Sequence, residues 1–92
     1  MPLSTHARRA LSHALKSYAI GDEIADVIDA GSGTLSVAAK ERMQTLLTDP
    51  VAGTAMCTAI DVGTAITGPH QAKLGIMLCN RVVAQEIATA LA

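Results

Sequence analysis

The sequence contains no tryptophan and no phenylalanine, and Tyr18 is its single aromatic residue. A core without aromatic rings must be filled by aliphatic side chains, and seventeen residues are alanine. Alanine is the best helix former, and its small side chain lets helices approach closely. The composition therefore points to a small helical domain with a thin core. Ninety-two residues make one domain, 1–92, and a chain this short buries only about 60–65% of its unfolded surface. An excess of charge is also missing. A net charge of −1 gives no long-range attraction of the kind that non-specific binding to nucleic acid or to an anionic membrane requires. Only two cysteines occur, Cys57 and Cys79, without metal-ligand spacing, so both are expected to be chemically silent thiols. The N-terminal residues lack an apolar core segment, and no signal peptide is expected. The most apolar stretch, between Asp49 and Lys73, is broken by Pro50, Gly53, Gly63, Gly68 and Pro69. A spanning helix needs about 20 apolar residues, so no membrane span is expected.

What is present is a threefold repeat. A shift of 32 positions brings Leu3, Ser4, Ala7, Leu11, Leu15, Gly21, Ile28 and Asp29 onto Leu35, Ser36, Ala39, Met43, Leu47, Gly53, Ile60 and Asp61. A further shift of 31 brings Leu35, Ser36, Met43, Leu47, Met56 and Ile60 onto Ile66, Thr67, Leu74, Leu78, Ile87 and Leu91. The first and third copies also share Glu23-Ile24-Ala25 and Glu86-Ile87-Ala88. Repeats of this period signify a stacked architecture, here with boundaries near 3–33, 35–65 and 66–92.

Within each copy the apolar residues recur at i, i+4, i+7 and i+8, as in Ala7, Leu11, Ala14 and Leu15, and again in Ile20, Ile24, Val27 and Ile28. This is the stripe of an amphipathic helix, so each copy reads as two helices. Ser4, Ser36 and Thr67 precede the first helices, and Ser17, Asp49 and Asn80 precede the second, all good N-caps. Pro50 follows Asp49 at the first helical position, and Gly31 and Gly63 stand where helices end. The expected helices are 5–16, 18–29, 37–48, 50–61, 68–79 and 81–91. The fold class is all-α: three tandem helical hairpins in a small repeat bundle or mini-solenoid. Leu11, Leu15, Ile24, Ile28, Met43, Leu47, Met56, Ile60, Leu78 and Ile87 are expected in the core.

No catalytic constellation is legible. Gly31-Ser32-Gly33 follows a helix rather than a strand and continues into no phosphate-loop motif, so it reads as a linker. His6 and His13 are two turns apart, too far to share a metal without another ligand. No carboxylate motif orients His70. Asp22, Glu23, Asp26 and Asp29 form an acidic group opposite the apolar stripe, expected to be a solvated face. The second helices are acidic or neutral, which argues against a helix-turn-helix reader of DNA.

The pattern Leu-Ser-x-x-Ala-Arg/Lys, a Leu/Met-x-x-x-Leu pair and Glu-Ile-Ala-x-x-Ile is carried here by two segments. They are Leu35-Ser36-Val37-Ala38-Ala39-Lys40-Glu41-Arg42-Met43 and Gly21-Asp22-Glu23-Ile24-Ala25-Asp26-Val27-Ile28. The pattern resembles the small alanine-rich virion proteins encoded among the structural genes of tailed bacteriophages, over essentially the whole chain. The resemblance implies a non-enzymatic virion component of the head, its decoration or the neck, made in the host cytoplasm. It implies as partners further copies of the chain or other virion proteins such as capsid or neck proteins. It brings no catalytic, metal-binding or cofactor-binding residue, no specific nucleic acid, no membrane and no small-molecule substrate. A terminal repeat should present a polar outer face, yet the third copy reads Leu74-Gly75-Ile76-Met77-Leu78-Cys79, apolar all round. Ile76, Met77, Cys79 and Val82 are therefore the expected interface to another chain. The competing expectation is a small intracellular adaptor that holds a partner's peptide helix in a groove between hairpins.

Overall fold

The computed structural model describes residues 3–91. Its six helices are α1 (Thr5–Leu15), α2 (Tyr18–Ala30), α3 (Val37–Leu47), α4 (Pro50–Val62), α5 (Gly68–Leu78) and α6 (Arg81–Leu91). They pair as three hairpins, α1 with α2, α3 with α4 and α5 with α6. Every boundary lies within one residue of the sequence expectation.

The caps explain that agreement. Ser4, Ser36 and Thr67 each accept from the backbone N–H three residues on, at 3.1, 3.2 and 3.4 Å. Ser17, Asp49 and Asn80 do the same for the second helices, at 3.2, 3.1 and 3.0 Å. The first helix of each hairpin stops one residue earlier than expected because Lys16, Thr48 and Cys79 are left-handed, with φ of 55°, 52° and 52°. Two residues must reverse the chain here, and only a left-handed residue followed by an extended N-cap does so. A non-glycine residue in that region costs about 1 kcal/mol or somewhat more, which the hairpin packing offsets.

The hairpins close into a ring. A stacked solenoid would be elongated, but the principal extents are 28 × 24 × 24 Å. The radius of gyration is 11.1 Å, below the roughly 12 Å typical of a domain this long. Hairpin 3 packs on hairpin 1 through α1 against α5 and α6. Hairpin 1 packs on hairpin 2 through α2 against α3 and α4, and hairpin 2 meets hairpin 3 mainly through α3 and α5. The third copy is therefore not a free terminal repeat, and the middle copy is not uniquely central. The same side chains of each hairpin meet around the pseudo-threefold axis: Leu11, Met43 and Leu74 in one layer, Ile24, Met56 and Ile87 in another, all at most 1% exposed. All ten residues expected in the core are buried.

Two of the three junctions carry the same staple. Glu23 of hairpin 1 accepts from the backbone N–H of Ser36, at 2.6 Å, and from its hydroxyl, at 3.0 Å. Glu86 of hairpin 3 does the same to Ser4, at 2.7 and 3.0 Å. Residues 82 positions apart are thereby joined, and the ring is shut. At the junction of hairpins 2 and 3 the equivalent pair is Ala55 and Thr67, and a Lys73–Asp49 ion pair at 2.5 Å spans it instead. Ile66 is half-buried there, whereas its counterparts Leu3 and Leu35 are 6% and 2% exposed. Ala55→Glu is therefore expected to complete the set and stabilise the protein by about 1 kcal/mol, the worth of one such cap. Urea unfolding of the variant checks this; an unchanged or lowered midpoint would show that the third junction does not share the geometry of the other two.

Candidate functional site

The three hairpins present equivalent outer faces with divergent chemistry. On hairpin 1 the outward positions of the first helix and its cap are Arg9, His13 and Lys16. On hairpin 2 the equivalents are Glu41, Thr45 and Thr48, and on hairpin 3 they are Ala72, Ile76 and Cys79. All nine are exposed. The same backbone thus carries a basic face, a hydroxyl-rich face and an apolar face.

The apolar face is also hollow. Between α5 and α6 runs an open groove of about 770 Å³, where Gly75, Ile76 and Ala84 stand among the polar Gln71, Asn80 and Arg81. The helix contact beneath it differs from those of the other hairpins. In hairpin 1 a Cβ on Gly21 would lie 2.6 Å from the Ser12 Cα, and in hairpin 2 a Cβ on Gly53 would lie 2.7 Å from the Gln44 Cα. In hairpin 3 the glycine changes sides: Gly75 stands where Ser12 and Gln44 stand, and Ala84 where Gly21 and Gly53 stand. The nearest atom to a Cβ built on Gly75 is the Ala84 Cβ, at 3.7 Å. The Gly75–Ala84 contact is therefore looser, but the groove itself recurs on hairpin 1, at about 710 Å³ and at the equivalent positions, so hairpin 3 is set apart by what lines its groove rather than by having one.

The expected interface residues divide across this geometry. Ile76 is 77% and Val82 74% exposed, and Cys79 is exposed beside Ile76. Met77 turns the other way, toward α1, and packs half-buried against the core. The apolar continuity read along Leu74–Cys79 is broken because Leu74 and Leu78 face the axis, Gly75 is buried against α6, and Cys79 is the cap rather than a helical residue. Position-by-position comparison of the outward residues, His13 with Thr45 and Ile76, is the sequence signal that marks the face.

Of the acidic group of α2, Asp22 is solvated as expected, while Glu23, Asp29 and the still largely exposed Asp26 are engaged. Glu23 staples Ser36, Arg8 lies 2.9 Å from Asp26 and 2.5 Å from Asp29, and Asp29 also accepts from the backbone N–H of Leu3. These pairs hold the Arg8 guanidinium above its ordinary pKa, through the hydrogen bond from Asp29 first and that from Asp26 second. Asp61 repeats the device in hairpin 2, accepting from Leu35 N–H at 2.8 Å and pairing with Lys40 at 3.2 Å. The equivalent Ala92 lies outside the described residues. Asp49 is held below the usual carboxylate range by its hydrogen bond from Lys73 and then by the backbone amide of Ala52.

Cys57 is buried at a position occupied by alanine in the other copies, and burial, helped by nearby Asp61 and opposed by Lys40, pushes its thiol pKa up. A thiol held protonated in this way is a poor nucleophile. His70 is half-buried, while His6 and His13 are exposed on α1. Among the described residues no three His, Cys, Asp or Glu side chains converge as a metal site, and no helix is long and apolar enough to cross a membrane.

The fold and faces together define a class: a closed, pseudo-threefold all-α bundle of three helical hairpins with outer faces of differing chemistry. Comparison with protein-family models, with curated proteins and with solved structures finds no match to this chain.

Proposed function

We propose that this protein is a non-enzymatic assembly subunit that packs onto neighbouring subunits through the outer face of its third hairpin. The observation that carries this reading is Ile76, 77% exposed in the lining of an open groove. The equivalent side chains on the other hairpins are His13 and Thr45. Val51 on α4 matches Val82 and is as exposed, and Tyr18, Val37 and Val62 are exposed on the other hairpins, so the apolar distinction of hairpin 3 lies in Ile76. A large aliphatic side chain left in water where both counterparts are polar favours a contact made there. Small groove residues let another chain's side chains approach the α5 and α6 backbones closely. The resemblance to the alanine-rich virion proteins of tailed bacteriophages suits a subunit that works by packing. It suggests a place in the virion, at the head, as a decoration or at the neck, with further copies or capsid and neck proteins as neighbours.

Ile76→Asp tests the reading. A charge at a desolvated contact is expected to abolish assembly, while far-ultraviolet circular dichroism retains the helical signal of the unaltered chain. Assembly undisturbed by Ile76→Asp would remove the third hairpin from the contact. A second reading draws on the groove's shape: a row of apolar side chains from a single peptide helix could lie along it, as in an adaptor. One monomer binding one amphipathic peptide, with no higher assembly, is the result that would favour it.

A further inference from the structure

The charges of this protein are separated in a way the net value conceals. Six of the eight carboxylates are engaged inside the fold: Glu23 and Glu86 in the staples, Asp26 and Asp29 with Arg8, Asp49 with Lys73, and Asp61 with Lys40. The same pairs use three of the seven arginines and lysines. Asp22 and Glu41 remain free of such partners among the described residues, against Arg9, Lys16, Arg42 and Arg81. Helix α1 contains no carboxylate, and its outward residues are His6, Arg9, His13 and Lys16, at spacings of three, four and three. All four are exposed. They form one row about 15 Å long at 1.5 Å per residue. Arg9, His13 and Lys16 line an open groove of about 710 Å³ on the outside of hairpin 1, and Tyr18 stands in its lining, 79% exposed.

We infer that this face of hairpin 1 binds single-stranded nucleic acid without sequence preference, Arg9 and Lys16 following the phosphates and Tyr18 stacking on a base. Sequence-independent single-strand sites combine these two parts, a positive groove along the backbone and an aromatic platform for bases. The sole aromatic residue of the chain lies at the groove rather than in the core. An acidic protein segment would pair with the cations but would have no use for an exposed ring beside them. Asp22, one turn beyond Tyr18 on α2, is the carboxylate that would oppose binding. The near-zero net charge argues against such binding only when the two charge populations are treated as one. The row adjoins the hairpin 3 groove, with His6 lying 3.5 Å from Asn80 and with Arg9 and His13 lining one hollow together with Met77 and Cys79. The inference does not rest on the assembly reading, because Arg9, Lys16 and Tyr18 are not residues of that proposed contact.

The test is fluorescence anisotropy of a labelled 15-nucleotide oligo(dT) at low salt, titrated with the full chain. Saturable binding is expected, weakening with salt at a log–log slope of about −1.4 for two phosphate contacts on a single strand. The double variant Arg9→Gln/Lys16→Gln is expected to lose roughly tenfold or more, and Tyr18→Ala roughly fivefold or more. Asp22→Asn is expected to tighten binding. Val51→Glu/Val62→Glu changes the net charge as much as the double variant, at two exposed sites on α4, and is expected to bind nearly as the unaltered chain does. Absence of binding at low salt overturns the inference. So does an equal loss in the α4 variant, which would mean net charge alone. Displacement of oligo(dT) by an equal charge of poly-glutamate, or equal affinity for duplex DNA of the same length, would also contradict it.

Discussion

Gly21→Ala is expected to destabilise the protein by about 2 kcal/mol or more, whereas Gly75→Ala should leave stability unchanged or raise it by up to about 1 kcal/mol. Exposed on a lone helix, both changes would help, because alanine is the better helix former. Packing decides otherwise at Gly21. The new methyl group would meet the Ser12 backbone, with its Cα at 2.6 Å and its N at 2.8 Å. Backbone atoms cannot swing aside, so α1 and α2 must separate along their whole contact, and overpacking of this kind costs about 1–3 kcal/mol or more. At Gly75 the nearest atoms are at ordinary contact distance, 3.7 and 3.8 Å. Thermal unfolding separates the two cases readily, since about 1 kcal/mol moves the midpoint by roughly 4–8 °C in a domain of this size. Equal midpoints for the two variants would contradict the exchange of the small residue between helices.

Leu11→Ala is expected to cost about 3 kcal/mol, within the range of 2–5 for buried leucine truncation. Leu11 is 1% exposed and meets Met43 and Leu74, its two repeat counterparts, on the pseudo-threefold axis. Every hairpin contributes to that layer, so a cavity there weakens all three junctions at once. Met43 is flexible enough to fill part of the space, which keeps the cost below the upper limit. The loss is still a large share of the 5–15 kcal/mol that holds a typical domain together. The measurement is urea unfolding. A midpoint within error of the unaltered chain would mean that the axis is not the core.

The helices and caps were legible because they depend on local chemistry. Ser17, Asp49 and Asn80 cap helices in any tertiary setting, and the apolar spacing states which side of each helix is buried. Ring closure was not legible from those signals, since amphipathic hairpins can stack in a line or close on themselves with the same stripes. A clue was present in Glu23-Ile24-Ala25 and Glu86-Ile87-Ala88. The shared glutamate marks the two stapled junctions, and Ala55 at the third hid the rule. The solvated face expected of α2 holds for Asp22, but the engagement of Glu23 and Asp29 is not legible in α2 alone, because their partners, Ser36 and Arg8, lie outside that helix. The candidate site was half legible. Ile76, Cys79 and Val82 are exposed as expected, but Met77 turns inward once hairpin 1 packs beside it.

The three outer faces share a backbone and differ in chemistry, so the symmetry is internal to the fold and does not repeat in its surface. Three like contacts with one partner would require three like faces. The groove of hairpin 3 and the basic row of hairpin 1 adjoin, with Arg9 and His13 beside Met77 and Cys79.

The most direct measurement of the assembly account is the mass of the purified protein in solution, by light scattering over a hundredfold range of concentration, alone and mixed with the proteins encoded beside it. The account predicts a complex well above the 9.4 kDa of one chain, lost in Ile76→Asp without loss of helix. A 9.4 kDa species at every concentration and in every mixture would contradict it.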